Sequence, residues 1–147
     1  QIRTAEEIVV AIQSHLDKAD ALVMAAAVAD YKPSVLSDQK IKKSEDDLNI
    51  SLAKTTDILK TATGNFVRVG FAAESQNLVE NAKAKITNKK LDLIVANDIT
   101  AEGSGFGSDT NKVTLIDRDM RVDELPLLTK YDVSNSILDR VNDLMRH

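Results

Sequence analysis

Residues 66–98 read FVRVGFAAESQNLVENAKAKITNKKLDLIVAND. An apolar run over 66–74 passes through small residues to an acid. An amphipathic pattern over 77–90 predicts a helix, with Leu78, Val79, Ala82 and Ile86 at helical spacing. A second apolar run over 91–98 again ends at polar residues. Strand, helix and strand in this order are the repeating unit of an α/β sheet.

The same alternation extends outward. Upstream, DALVMAAAVA (20–29) is short, apolar and unalternated, as in a strand covered on both faces. Before it, Thr4-Ala5-Glu6-Glu7 has the form of a capping box, and Ile8, Val9, Ile12 and Leu16 repeat at helical spacing, which predicts a helix over 5–18. LNISLA (48–53) alternates like a strand. Thr55 or Thr56 is placed to cap a short helix through Ile58, Leu59 and Ala62, ended by Gly64. Downstream come a glycine-rich turn (102–111), a strand (112–117) and a closing helix marked by Ile137, Leu138, Val141 and Leu144. The expected fold is α/β: one domain over 1–147, Rossmann-like, a mostly parallel sheet with flanking helices. The chain opens on a helix, without the first strand and glycine-rich turn where such sheets usually hold phosphate, so either phosphate is held differently or the first part of the domain is absent from this chain.

Composition narrows the function. There is no cysteine, which removes disulfides, thiolate metal sites and thiol nucleophiles and fits a reducing compartment. The two histidines, His15 and His147, lie far apart in sequence and leave little for a histidine metal site or a serine–histidine triad. A net charge of −4 argues against broad nucleic-acid binding. No apolar run reaches the length of a membrane span, so a soluble cytoplasmic protein is the default expectation.

Three apolar segments end alike: AAAVAD at Asp30, VGFAAE at Glu74 and LIVAND at Asn97 and Asp98. Ligands of open α/β sheets lie beyond the carboxyl ends of the strands. Small residues there admit a ligand to the backbone, and the polar residue after them meets it. From Tyr31 to Asp47 no element is legible. Lys32, Lys40, Lys42 and Lys43 lie in this stretch, which reads either as a solvated charged loop or as a mobile cover bringing a lysine onto a phosphate. Asp30 suits a magnesium ion that also touches phosphate oxygens. Lys85 and Lys89 share one helical face, with Lys83 and Lys90 beside them. Phe71 is either core or a platform for a base.

The strings AAVADY (26–31), KIKK (40–43), GFAAE (70–74), LDLIVAND (91–98) and GFGSDTNKV (105–113), in this order and spacing, resemble the bacterial phosphopantothenate–cysteine ligase domain of coenzyme A biosynthesis. The resemblance covers nearly the whole chain. It implies a ligase that uses CTP and Mg²⁺. The 4′-phosphopantothenate carboxylate attacks the α-phosphorus, pyrophosphate leaves, and the cysteine amine then displaces CMP from the acyl-cytidylate. By the same resemblance Asp30 contacts the nucleotide–metal region and Lys40 is the catalytic loop lysine. Phe71 touches the nucleotide, and Lys85 and Lys89 hold the triphosphate. Met24, Ala25 and Ala26, with Thr56, Asp57, Ile58 and Leu59, supply further CTP contacts, and Asn97 is a further site residue. Where many relatives have Asn-Pro-Asp, this chain has Thr55-Thr56-Asp57. The family's N-terminal portion, which handles phosphopantothenate, is not in the chain. Residues 1–147 alone are therefore expected to bind CTP weakly or not at all and to lack full ligase activity. The resemblance further implies a homodimer, with the turn over 102–111 and the following strand as candidate contacts, and fusion in many bacteria to a flavin-dependent decarboxylase. A non-catalytic nucleotide-binding module and a nicotinamide-dependent reductase are the alternatives.

Overall fold

The computed structural model describes residues 1–42, 47–104 and 107–146. Lys43 of the loop, Gly105 and Phe106 of the glycine-rich turn, and His147 lie outside the described residues.

Helix α1 spans Ala5–Gln13. Its capping box is formed: the Glu7 amide donates to Thr4 Oγ1 at 3.2 Å and the Thr4 amide to Glu7 Oε2 at 3.3 Å. The helix stops short of the predicted end at 18. Ser14 Oγ and His15 Nδ1 both lie 2.8 Å from the Ala11 carbonyl oxygen, so local side chains compete for a helix acceptor, and a separate 3₁₀ turn follows at Leu16–Lys18.

Strand β1 is Ala21–Met24 only. It pairs with the next long strand, β4 (Val67–Glu74), in parallel from Ala21↔Val67 to Met24↔Gly70. This corrects the reading of 20–29 as one strand covered on both faces. Among the described residues β1 is the edge of the sheet, Val23 is 41% exposed, and Ala25–Ala27 run exposed beyond the last pair. The stretch after Asp30 also differs from expectation. Strands β2 (Tyr31–Pro33) and β3 (Leu52–Lys54) form an antiparallel ribbon, prolonged by the Thr55 amide donating to the Asp30 carbonyl at 2.8 Å. Residues 34–42 and 47–51 therefore belong to an arm tied at its base. Only the last part of LNISLA is strand. One turn of helix, α2 (Ile58–Thr61), follows, capped by Asp57 Oδ1 rather than by Thr55 or Thr56.

β4, helix α3 (Leu78–Lys89) and strand β5 (Leu93–Asp98) realise the strand–helix–strand unit read over 66–98. β4 and β5 are parallel, with Glu74 opposite Asp98. Short strand β6 (Thr110–Asn111) precedes β7 (Val113–Asp117), which runs antiparallel to β5, and β8 (Val122–Glu124) runs antiparallel to β7. β9 (Leu128–Thr129) pairs with β6 and leads into helix α4 (Lys130–Met145), capped by Thr129. The main sheet thus has the order β1-β4-β5-β7-β8, parallel on the β1 side and antiparallel on the β8 side. β8 was not legible: one apolar residue in Val-Asp-Glu shows no period.

Helices cover both faces. Val67, Val69, Leu93, Val95, Val113 and Leu115 point to Val133, Ile137, Val141 and Leu144 of α4. Ala72, Ile94, Ala96 and Ile116 point to Ala82 and Ile86 of α3. Successive residues of β4 and β5 therefore bury on opposite sides, which is why their sequences do not alternate. Every residue of β7 is buried within its own chain, so its side chains are not an outward contact surface, contrary to the expectation for the strand after the glycine-rich turn.

Candidate functional site

A crevice of about 750 Å³ opens beyond the carboxyl ends of β1, β4 and β5. Its walls bring together Met24, Ala25, Ala26 and Asp30 at the exit of β1 with Thr56, Asp57, Ile58 and Leu59 around the start of α2. Phe71 of β4, Asn97 of β5 and Lys85 and Lys89 of α3 complete them. These residues come from well-separated parts of the sequence and meet because parallel strands end on one rim. Lys40 does not line the crevice; it is exposed on the arm. Lys32, one of the loop lysines, pairs instead with Glu6 of α1, and that ammonium holds the Glu6 carboxyl below its ordinary range.

The local packing explains the shape. Gly70 brings β4 close to Leu59 and Leu91: a Cβ there would lie 2.8 Å from Leu91 Cδ1 and 3.3 Å from Leu59 Cδ1. A side chain at 70 would press first on Leu91 and then on Leu59 of α2, so glycine lets these two leucines close over β4 beside Phe71. Asp57 has two tasks. Oδ1 accepts from the Lys60 amide as helix cap, and Oδ2 pairs with Lys89 at 3.1 Å. Lys85 pairs with Glu74 at 2.5 Å. Lys85 and Lys89 are thus both ion-paired with carboxylates from outside α3. Asn97 Oδ1 lies 3.1 Å from Ser104 Oγ, which also approaches Asn111 Oδ1 at 2.6 Å and accepts from the Lys112 amide at 3.1 Å. Ser104 of the glycine-rich turn thereby ties that turn to the rim. Next to it Asp98 accepts from the Thr100 hydroxyl at 2.6 Å and the Thr100 amide at 2.9 Å, and these bonds lower its carboxyl below the usual range.

The crevice also contains residues not anticipated from sequence. Thr55, Asn111 and Lys130 line it, with Val133, Ser134 and Ile137 of α4. Lys130 makes no ion pair among the described residues. The one available signal was its position, directly after the Thr129 cap of the predicted closing helix. Thr55 Oγ1 is buried without a hydrogen-bond partner among the described residues.

Among the described residues no group of three or more His, Asp or Glu is arranged to hold a metal ion. Magnesium does not require such a cage: it keeps its waters and binds through one or two carboxylates plus substrate phosphates. Asp30 in the crevice fits that mode. A larger cavity, about 920 Å³, lies at the opposite rim, where Asp117 faces Leu93 at the start of β5. Its guanidiniums are engaged internally: Arg140 with Asp117 at 3.3 Å and Asp123 at 3.1 Å, and Arg121 with Asp117 at 3.3 Å. That cluster closes the β7–β8 turn through internal ion pairs, so size alone does not select it. No helix of the described residues is long and apolar enough to cross a membrane.

The chain is similar to known proteins over nearly its whole length. The chain is 40% identical over 148 residues to the coenzyme A biosynthesis bifunctional protein CoaBC of Bacillus subtilis, covering 99% of this chain and 36% of that protein. It is 36% identical over 152 residues to the CoaBC protein of Vibrio vulnificus, covering 38% of its length. The chain therefore spans little more than a third of these relatives. The crystal structure of the C-terminal domain of a CoaBC protein superposes with a TM-score of 0.79 at 34% identity, over 99% of this chain and 65% of that one. The family model for the DNA/pantothenate metabolism flavoprotein C-terminal domain matches residues 1–145, and the chain belongs to that family.

Proposed function

We propose that this domain carries the ligase step of coenzyme A biosynthesis, the CTP-dependent joining of cysteine to 4′-phosphopantothenate. The observation that carries this reading is the convergence of the β1 exit, the α2 start, Phe71, Asn97 and the α3 lysines on one crevice. The relatives' name supports the pathway.

A carboxylate is a poor electrophile, so it must be activated before an amine attacks it. Its oxygen attacks the α-phosphorus of CTP and pyrophosphate leaves. The cysteine nitrogen then attacks the acyl carbon, and CMP leaves as the amide forms. No protein nucleophile is required, in keeping with a chain without cysteine. In this reading Lys85 and Lys89 hold the triphosphate, Phe71 packs on the nucleotide and Asn97 contacts it at the rim. Met24–Ala26 and residues 56–59 present backbone to the nucleotide. Lys40, carried on the arm, reaches the reacting phosphate when the arm folds over. Asp30 would hold Mg²⁺, which neutralises phosphate charge when bound. Pre-placed cations of this kind act where charge develops in the transition state.

The proposal includes a homodimer and a flavin-dependent decarboxylase half in the intact protein. Val35, Leu36, Leu48 and Ile50 stand exposed on the arm, which supports an assembly surface. The test is kinetic. The intact protein should release pyrophosphate from CTP only with phosphopantothenate present, and form the amide with cysteine. Lys40→Gln should abolish turnover while leaving CTP affinity nearly intact. Absence of CTP turnover, with saturable binding of NADH instead, would point to the reductase alternative.

A further inference from the structure

The two α3 lysines that line the crevice are held differently. Lys89 meets Asp57 at 3.1 Å, and both side chains are 33% exposed. Lys85 meets Glu74 Oε1 at 2.5 Å, and the Glu74 side chain is only 10% exposed. Glu74 closes β4 and does not itself line the crevice. Its second oxygen, Oε2, accepts from Asn81 Nδ2 at 2.9 Å, and the same amide group donates to the Gln76 carbonyl at 3.0 Å. Asn81 and Lys85 stand four residues apart, on one face of α3. The carboxylate is thus clamped at both oxygens by two residues of α3, Lys85 and Asn81, the latter also tying down the turn before the helix.

A buried carboxylate is strongly unfavourable without a cation beside it. Glu74 therefore keeps Lys85, itself 42% exposed, in place with or without ligand, whereas the half-buried Asp57–Lys89 pair contains no deeply buried carboxylate to hold its lysine. An ammonium has three N–H donors. Glu74 engages one, and two remain for a ligand in the crevice.

We propose that Glu74 is a positioning residue for the ligation, fixing Lys85 so that its ammonium meets the charge that develops on the transferring phosphate. This rests on the nucleotide reading above. Two effects on ground-state binding oppose each other when Glu74 is neutralised: the lysine loosens, but a negative charge near the polyphosphate disappears. The loss should therefore fall on kcat rather than on KM.

Steady-state kinetics of the intact protein with CTP, phosphopantothenate and cysteine test this through Glu74→Gln, Lys85→Met and the double variant. Glu74→Gln should lower kcat about tenfold or more with the CTP KM within about threefold of wild type. The double variant should be no slower than Lys85→Met alone, since Glu74 acts through that lysine. A purely structural role would lower Tm while leaving kcat per folded site unchanged. Wild-type kcat in Glu74→Gln beside a slow Lys85→Met overturns the proposal alone, as does a double variant slower than Lys85→Met by the full Glu74→Gln factor. Wild-type kcat and CTP KM in Lys85→Met overturn the nucleotide reading and the proposal with it. If Glu74→Gln does not fold, Asn81→Ala releases Oε2 from the exposed side; a lowered kcat supports the proposal and a wild-type kcat overturns it.

Discussion

Gly70→Ala is a small perturbation with a calculable consequence. The added methyl would sit 2.8 Å from Leu91 Cδ1 and 3.3 Å from Leu59 Cδ1. Leu91 is 3% exposed and packs with Ala82, Ile86 and Ile94, so it has no outward escape. Overpacking of this kind costs about 1–3 kcal/mol, and a contact this short with a confined neighbour belongs in the upper half. Against it stands a gain of roughly 0.5–1 kcal/mol from the stiffer unfolded chain. The net expectation is about 2 kcal/mol of destabilisation, or a fall in Tm of about 4–8 °C for a domain this size. Thermal denaturation followed by circular dichroism or calorimetry measures it. Leu91→Ala removes the clashing group, so the Gly70→Ala, Leu91→Ala pair should be less destabilised than the sum of the single variants by about 1 kcal/mol or more. Because Leu59 and Phe71 flank the contact, Gly70→Ala should also weaken nucleotide binding. An unchanged or raised Tm in Gly70→Ala would refute the claim that this glycine lets Leu91 and Leu59 close over β4.

Two further outcomes follow from single groups. Thr55→Val replaces a buried hydroxyl that has no partner among the described residues by an isosteric methyl and should stabilise the domain by about 1 kcal/mol, read as a raised urea midpoint at constant m-value. Asp98 has its carboxyl lowered chiefly by the Thr100 hydroxyl and amide. A lowered folded-state value means its contribution is present above the unfolded-state range and fades as pH falls through the folded value. Asp98→Asn should therefore flatten the loss of Tm below about pH 4 and leave the slope near neutrality unchanged. An acid limb as steep as in wild type would contradict it.

The sheet was legible where burial and periodicity agreed. The stretch 66–98 showed strand, helix and strand because both strands are covered on two faces and the helix on one. β1 was overread because Ala25–Ala29 are as apolar as Ala21–Met24, although the former are mostly exposed beyond the last backbone pair. Composition does not record where a neighbour strand ends. β2 and β8 were invisible for the opposite reason: Tyr-Lys-Pro and Val-Asp-Glu are fully exposed strands held by backbone pairing, which leaves no side-chain period. Within the crevice, the small residues and the polar residues Asp30 and Asn97 were readable, since each segment carries its own local signal; Glu74, marked by the same pattern, does not line it. The Lys85–Glu74 and Lys89–Asp57 pairs were not, because they join residues that only the fold brings together. Lys130 escaped for the same reason: it enters the crevice from α4, the last element of the chain.

Calorimetric titration of Mg·CTP into the intact protein and its Lys89→Met variant tests the crevice assignment most directly. Wild type should bind with a saturable isotherm, and Lys89→Met should weaken binding about tenfold or more, the worth of one charge-assisted phosphate contact. Equal CTP affinity in the two proteins would contradict the placement of the triphosphate on α3.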